Sequence, residues 1–335
     1  MKGLLPSPAA TQRNSSFTDA ANLRSLFAQA LADRERELGP NDPKVGRSAS
    51  DLGLFLLGTG DLARAEGPLR RALTADRENQ SAEVLADAEN LGRLLAQNGR
   101  NAEATALFRE AAGGSVAQVS ARAFANLATL DPAHAEEHYR GAIEAEQRSE
   151  RQDSKRVAIL LNNLAMALQE NKDFKSGEAM LRKALVIQKK VLGPDSPAAA
   201  STMSNLGSLL ETMGSHAEAE LMERGAVRIF EQKLGPWSAE LATSCTNLAD
   251  ILWTKGDGVS AAALYRRAIS IDETVYGPEN PEVAGDLVNY GTLLKALGRS
   301  SAAVPILRRA LGVYEKGFGA ESTQAVQVRQ LLAGK

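Results

Sequence analysis

The sequence predicts an all-α fold: a solenoid of about seven helix hairpins with a terminal helix capping each end. Three observations carry this. Short motifs recur every 42 residues along the C-terminal half of the chain. Each recurring unit holds two apolar stripes of helical spacing parted by a glycine. Aromatics make up only 4% of the 335 residues, so the core is built from Ala, Leu and Val, which suits helices packed closely in layers.

The recurrence is read directly from the chain. Leu192-Gly193-Pro194, Leu234-Gly235-Pro236, Tyr276-Gly277-Pro278 and Phe318-Gly319-Ala320 stand 42 residues apart. An asparagine follows the first three at a constant distance (Asn205, Asn247, Asn289), and Asn163 precedes them by one more period. In the same register fall Gly214, Gly256 and Gly298, then Ala219, Ala261 and Ala303, then Ala226, Ala268 and Ala310. The N-terminal half keeps these offsets: Asp51 leads to Gly60, Ala65, Leu69 and Ala72, and Asn90 leads to Gly99, Ala104, Phe108 and Ala111. Chance does not produce that register, and a fixed period of this length signals a repeat array.

Within one unit, Leu241, Cys245, Leu248, Ala249 and Leu252 mark a first helix, which Gly256-Asp257 breaks. Ala261, Leu264, Tyr265, Ala268, Ile269, Ile271 and Val275 mark a second, stopped by Gly277-Pro278. The fixed alanines of the second helix are expected where helix backbones approach closely and a larger side chain would overpack. In chain order, residues 1–16 fit no unit and are expected to be disordered. Residues 17–43 hold a partial repeat with one helix, Phe17 to Leu38. Residues 44–152 hold three irregular repeats, 153–322 four regular ones, and 323–335 a capping helix. The third repeat is degenerate: Asn126 to Ala142 is 16 residues where its neighbours have 21, so its first helix or turn is shortened near Asp131-Pro132. Glu223 stands where Leu or Phe is expected.

These motifs resemble the tetratricopeptide repeat. Leu206-Gly207, Leu248-Ala249 and Tyr290-Gly291 match the first part of its signature, and Ala104 with Phe108 and Ala261 with Tyr265 match the second. The 42-residue unit, seen best in Asn162-Asn163-Leu164-Ala165 and Leu192-Gly193-Pro194-Asp195-Ser196-Pro197, is similar to the kinesin light chain subclass. Pro305, inside a second helix, also looks like that pattern. The resemblance spans roughly residues 17–331. It implies a right-handed α-α superhelix whose first helices line a concave groove, and a scaffold that binds a protein or peptide there.

The resemblance also places the asparagine ladder in that groove. Helical geometry adds the residues three and six positions further on. The expected groove is Asn163, Met166, Asn205, Ser208, Asn247, Asp250, Trp253, Asn289, Thr292 and Lys295. It is chiefly neutral and polar, and amides that both donate and accept suit an extended peptide backbone. The same asparagines suit hydrogen bonds between neighbouring helices that fix repeat packing, and both roles stand open for each.

Composition removes other classes. With 39 Lys+Arg against 41 Asp+Glu, no global basic field draws nucleic acid or an anionic membrane. Leu52 to Leu57, the longest apolar stretch, is too short to span a bilayer. No apolar run resembling a signal peptide lies in the first ten residues, so a cytoplasmic location is expected. Catalytic and cofactor motifs are decoys. Gly58-Thr59-Gly60-Asp61-Leu62-Ala63 imitates a dinucleotide loop, but Gly60 keeps the inter-helix turn register and no βαβ unit surrounds it. His134-Ala135-Glu136-Glu137-His138 lacks the glutamate of a zinc-protease helix. Cys245 sits at a core-facing position. No enzyme activity, metal or cofactor is therefore expected. A regulatory module of a larger effector is the alternative to a free-standing scaffold, and an enzyme with a site assembled across repeats is the third reading.

Overall fold

Each repeat folds as two antiparallel helices because its sequence supplies a start and a stop for both. In a computed structural model, which describes residues 8–149 and 154–334 with side-chain surroundings from residue 20, first helices open on capping residues one period apart. Ser196, Ser238, Asn280 and Ser322 each accept a backbone N–H of the first turn through the side chain. Between the paired helices, Gly60, Gly99, Gly214, Gly256 and Gly298 hold φ between +74° and +89°, a conformation that lacks a steric penalty only for glycine. Lys172 occupies this position in the fourth repeat with φ +62°.

The described residues contain sixteen α-helices and no strand. They divide into two compact units, 1–152 and 153–335. In unit 1, α1 (Pro8–Leu38) is followed by hairpins α2 (Pro43–Gly58) with α3 (Leu62–Glu78), α4 (Val84–Gln97) with α5 (Asn101–Ala112), and α6 (Ala117–Leu130) with α7 (Ala135–Arg148). The single helix expected from Phe17 is present but begins at Pro8, inside the segment expected to be disordered; residues 1–7 lie outside the described residues. The degenerate repeat is explained locally. Proline disfavours helical backbone in the residue before it, so α6 stops at Leu130, and a single 3₁₀ turn, Pro132–His134, replaces the glycine turn.

Unit 2 contains four hairpins. They are α8 (Ser154–Glu170) with α9 (Phe174–Leu192), α10 (Pro197–Thr212) with α11 (His216–Leu234), α12 (Ala239–Thr254) with α13 (Gly258–Tyr276), and α14 (Pro281–Ala296) with α15 (Ser300–Phe318). The helix α16 (Thr323–Leu332) packs on α15 and closes the stack.

The fixed alanines Ala65, Ala72, Ala104, Ala111, Ala219, Ala226, Ala261, Ala268, Ala303 and Ala310 are all fully buried, as close helix approach demands. Large residues between them fill the space that remains, among them Leu69, Phe108, Tyr265 and Leu307. A first-helix residue opposite must then be small. A Cβ added at Gly92 would come within 2.7 Å of Phe108, and one at Gly291 within 2.6 Å of Leu307.

First helices touch the next hairpin's first helix directly: α2 meets α4, α4 meets α6, and α10 meets α12. Second helices reach one another through long side chains. Arg70–Glu103 at 3.1 Å and Arg77–Glu110 at 2.6 Å join α3 to α5. Arg182–Glu218 at 2.7 Å joins α9 to α11, and Arg267–Glu231 at 2.6 Å joins α13 to α11. These arginines are thus rungs of a charge ladder along the second helices. Each rung is partly exposed and worth little alone, about 0–1 kcal/mol.

Candidate functional site: the first-helix face

All ten expected groove residues lie on the first helices of unit 2: Asn163 and Met166 on α8, Asn205 and Ser208 on α10, Asn247, Asp250 and Trp253 on α12, Asn289, Thr292 and Lys295 on α14. Met166, Asn205 and Ser208 are exposed, and the other seven are half-buried. Helix periodicity alone accounts for the shared face, since the apolar residues one position on from each asparagine (Leu164, Leu206, Leu248) turn into the core.

Their hydrogen bonds separate them into two groups. Asn163 and Asn289 have no side-chain hydrogen bond among the described residues, and Asn205 has one at 3.4 Å to Asn162 Oδ1. Asn247 is committed to packing. Its Nδ2 donates to Ser204 Oγ at 3.2 Å and to Glu223 Oε1 at 2.9 Å. Asp250 accepts from the Tyr265 hydroxyl, and burial raises its carboxyl above the ordinary range against that bond. Lys295 donates to the Leu331 carbonyl, satisfying an end group of α16. Thr292 Oγ1 turns back to the Val288 carbonyl at 2.8 Å. Trp253 packs partly against the cluster of Leu248, Leu252, Tyr265 and Leu293. The amide ladder of the sequence therefore mixes free positions with structural ones. Between α8 and α10 the face carries a recess of about 300 Å³ whose lining includes Gln169, Phe174, Ser208 and Thr212.

Sequence reasoning missed the polar nodes beneath this face. Glu223, out of place as an apolar residue, is fully buried and sits opposite Gly207, where an added Cβ would approach its Cγ to 2.9 Å. Its Oε1 accepts from Ser204 at 2.9 Å as well as from Asn247, and its Oε2 has no partner. Burial pushes the carboxyl up to about 8 against these bonds, so it is a neutral acid at pH 7.

A second node recurs in both units at one register: a polar residue just before the ladder position, an acid four residues after the second-helix alanine, and an acid three before the next ladder position. In unit 2 these are Thr246, Asp272 and Asp286. Thr246 Oγ1 donates to Asp286 Oδ1 at 2.8 Å. Burial foremost, with the charge of Asp272 added, pushes Asp286 up to about 7; burial and then Glu282 push Asp272 up to about 6. In unit 1 they are Ser50, Asp76 and Asp87, with Ser50 Oγ donating to Asp87 Oδ1 at 2.7 Å. Asn162, Gln188 and Thr202 fill the same three positions with neutral groups, Asn162 Nδ2 donating to Thr202 Oγ1 at 2.8 Å. These node positions keep the same register as the asparagine, glycine and alanine positions, so the signal lies in the sequence.

Cys245 is fully buried, and burial pushes its thiol up to about 11. His134 lies 3.0 Å from Asp131 and His138 3.7 Å from it, but no group of three or more metal-ligating side chains comes together among the described residues.

Family models of the tetratricopeptide repeat match residues 156–232, 240–316 and 88–113, more than half of the chain. The chain belongs to the tetratricopeptide repeat family. No curated protein sequence matches it significantly. Among solved structures it is similar to BtubC (BKLC) from P. vanneervenii, with 20% identity, a TM-score of 0.51, and 79% of this chain and 92% of that one covered. It is also similar to the kinesin light chain-type TPR-like repeats of a Podosopora anserina protein, with 18% identity, a TM-score of 0.45, and 69% and 95% covered. PilF of Pseudomonas aeruginosa matches at 18% identity and a TM-score of 0.44, over 87% and 97%. The tetratricopeptide fold generally mediates protein–protein interaction and is typically a non-catalytic scaffold. No helix among the described residues is long and apolar enough to cross a membrane.

Proposed function

We propose that this tetratricopeptide protein is a non-catalytic scaffold that binds a peptide or protein segment along the first helices of unit 2, the concave groove expected of its family. The observation that carries the reading is the set of side chains which this face leaves available. Asn163, Asn205 and Asn289 keep all or most of their hydrogen-bonding capacity, Ser208 is exposed beside a recess, and Met166, 56% exposed, and Trp253 offer apolar anchors. A half-buried tryptophan on a polar face has the character of a binding hot spot, worth about 2 kcal/mol or more on truncation.

The test is to capture a partner with the purified full chain, identify it by mass spectrometry, and titrate it against folded Asn205→Ala, Met166→Ala and Trp253→Ala proteins. Losses of about tenfold or more for Trp253→Ala are expected, while Arg266→Glu on a second helix leaves affinity unchanged. If the three first-helix variants bind as wild type and Arg266→Glu abolishes binding, the face is wrongly assigned.

A further inference from the structure

Unit 1 bears on its first helices a cavity of about 440 Å³, within the range of roughly 300–1,000 Å³ typical of small-ligand sites. Asp76 from α3 and Asp87 from α4 form its floor; they are 4% and 3% exposed. Ser50 and Asn90 lie alongside. Asp87 Oδ1 is satisfied by Ser50, but Asp87 Oδ2 has no hydrogen-bond partner. Buried carboxylates in proteins are ordinarily matched by a cation, because an unpaired buried charge is costly. None of the cavity's own bases does this. Arg47 is 3.8 Å from Glu83 at the rim, and Lys44 is exposed, leaving Asp51, Asp76 and Asp87 in excess.

We propose that this cavity is a subsite for the guanidinium of an arginine side chain in a bound peptide, received between Asp76 and Asp87. The planar five-donor fork suits two adjacent carboxylates, and the side-chain carbonyl of Asn90 is a further acceptor on the wall. A compact metal ion is a poorer match, since no cluster of three or more metal-ligating side chains forms among the described residues. This rests on the reading of first helices as the peptide-binding face and adds to it a selectivity for a basic residue.

Without a ligand, a proton on Asp87 meets the shortfall. Burial first, then Asp76 and Glu83, raise the Asp87 carboxyl, while Ser50 opposes them. The charged groups facing it are Lys44, Arg47 and Asp51 of α2, Asp76 of α3, and Glu83 preceding α4. A guanidinium expels that proton, so binding strengthens as pH rises.

The experiment is an NMR titration of the full chain with N-acetyl-argininamide, and with N-acetyl-citrullinamide as its neutral isostere, at about pH 5.5 and pH 8. Saturable binding of the arginine compound is expected, at least about tenfold tighter than the citrulline compound and tighter at the higher pH. Asp87→Asn should lose about tenfold or more, as one partner of a buried charge pair does, while Asp286→Asn in unit 2 leaves binding unchanged. Asp76→Asn serves if Asp87→Asn fails to fold. Equal binding of the two amides, no saturable binding, or retention in both unit 1 variants overturns the subsite. Failure of the unit 2 groove would appear separately, as wild-type partner affinity in Trp253→Ala with argininamide binding intact.

Discussion

Replacing Glu223 by glutamine removes a buried titratable group while keeping its shape. Glu223 Oε1 accepts from Ser204 and Asn247 at 2.9 Å each, and a glutamine carbonyl can accept the same two bonds. Oε2 has no partner. The folded carboxyl titrates at about 8 against an ordinary value of 4.5. A carboxyl raised in this way keeps its proton in the native state while the unfolded chain releases it. Its penalty is therefore absent below 4.5, grows as pH rises, and levels off above about 8. At pH 7 the gap is about 2.5 units, which at 1.36 kcal/mol per unit comes to about 3 kcal/mol. Glutamine has no proton to lose. Glu223→Gln should match wild type near pH 4.5 and exceed it by on the order of 2–3 kcal/mol at pH 7. Urea unfolding followed by far-UV circular dichroism across that range measures the difference. Taking the difference at each pH cancels the aspartates that titrate in both proteins. A difference that stays flat with pH, or a variant less stable than wild type at pH 8, would refute the neutral-acid assignment.

Two further perturbations probe the repeat geometry. Lys172 holds φ +62° where five of the other six hairpins have glycine, so Lys172→Gly should stabilise unit 2 by about 1 kcal/mol; an unchanged or lowered melting temperature would mean that local contacts already offset the strain. Ala268 is fully buried at a close helix approach, and Ala268→Phe should cost about 1–3 kcal/mol or more through overpacking. A wild-type melting temperature for that protein would contradict the register.

The architecture was legible because the features that build it are local and repeated. Glycines that permit the turn, caps one period apart and alanines at fixed offsets each point to the same hairpin, and the described residues hold seven such hairpins. The departures have equally local causes: Asp131-Pro132 ended α6 early, and Lys172 kept a turn that glycine usually makes. The shared placement was legible too, since helical spacing alone puts the ten residues expected in the groove on first helices. Which of their polar groups are free was not. That depends on partners about one period away or on the adjoining helix: Asn247 is drawn to Glu223, Asp250 to Tyr265, and Lys295 to the end of α16. A residue's position in the repeat fixes the direction it faces, while its hydrogen bonds depend on what the neighbouring repeat presents.

That distinction bears on how the repeats diverge in function. The close-approach alanines and glycines leave little room for change, since a Cβ at Gly92 or Gly291 would collide with the neighbouring helix. The three polar node positions carry Thr246, Asp272 and Asp286 in one place, Asn162, Gln188 and Thr202 in another, and Ser50, Asp76 and Asp87 in a third, all within the same backbone frame. These three positions thus vary from neutral to acidic just under the first-helix face. In the neutral set, Asn162 is joined to Thr202 by a hydrogen bond and forms a structural tie. Where two acids meet beneath a cavity, an oxygen of Asp87 is left without a donor, and an incoming cation can take the place of its proton. Replacing Asp87 with Asn would bring that node closer to the neutral kind. The predicted loss of argininamide binding then follows from the chemistry of a single register position, with the helix frame around it unchanged.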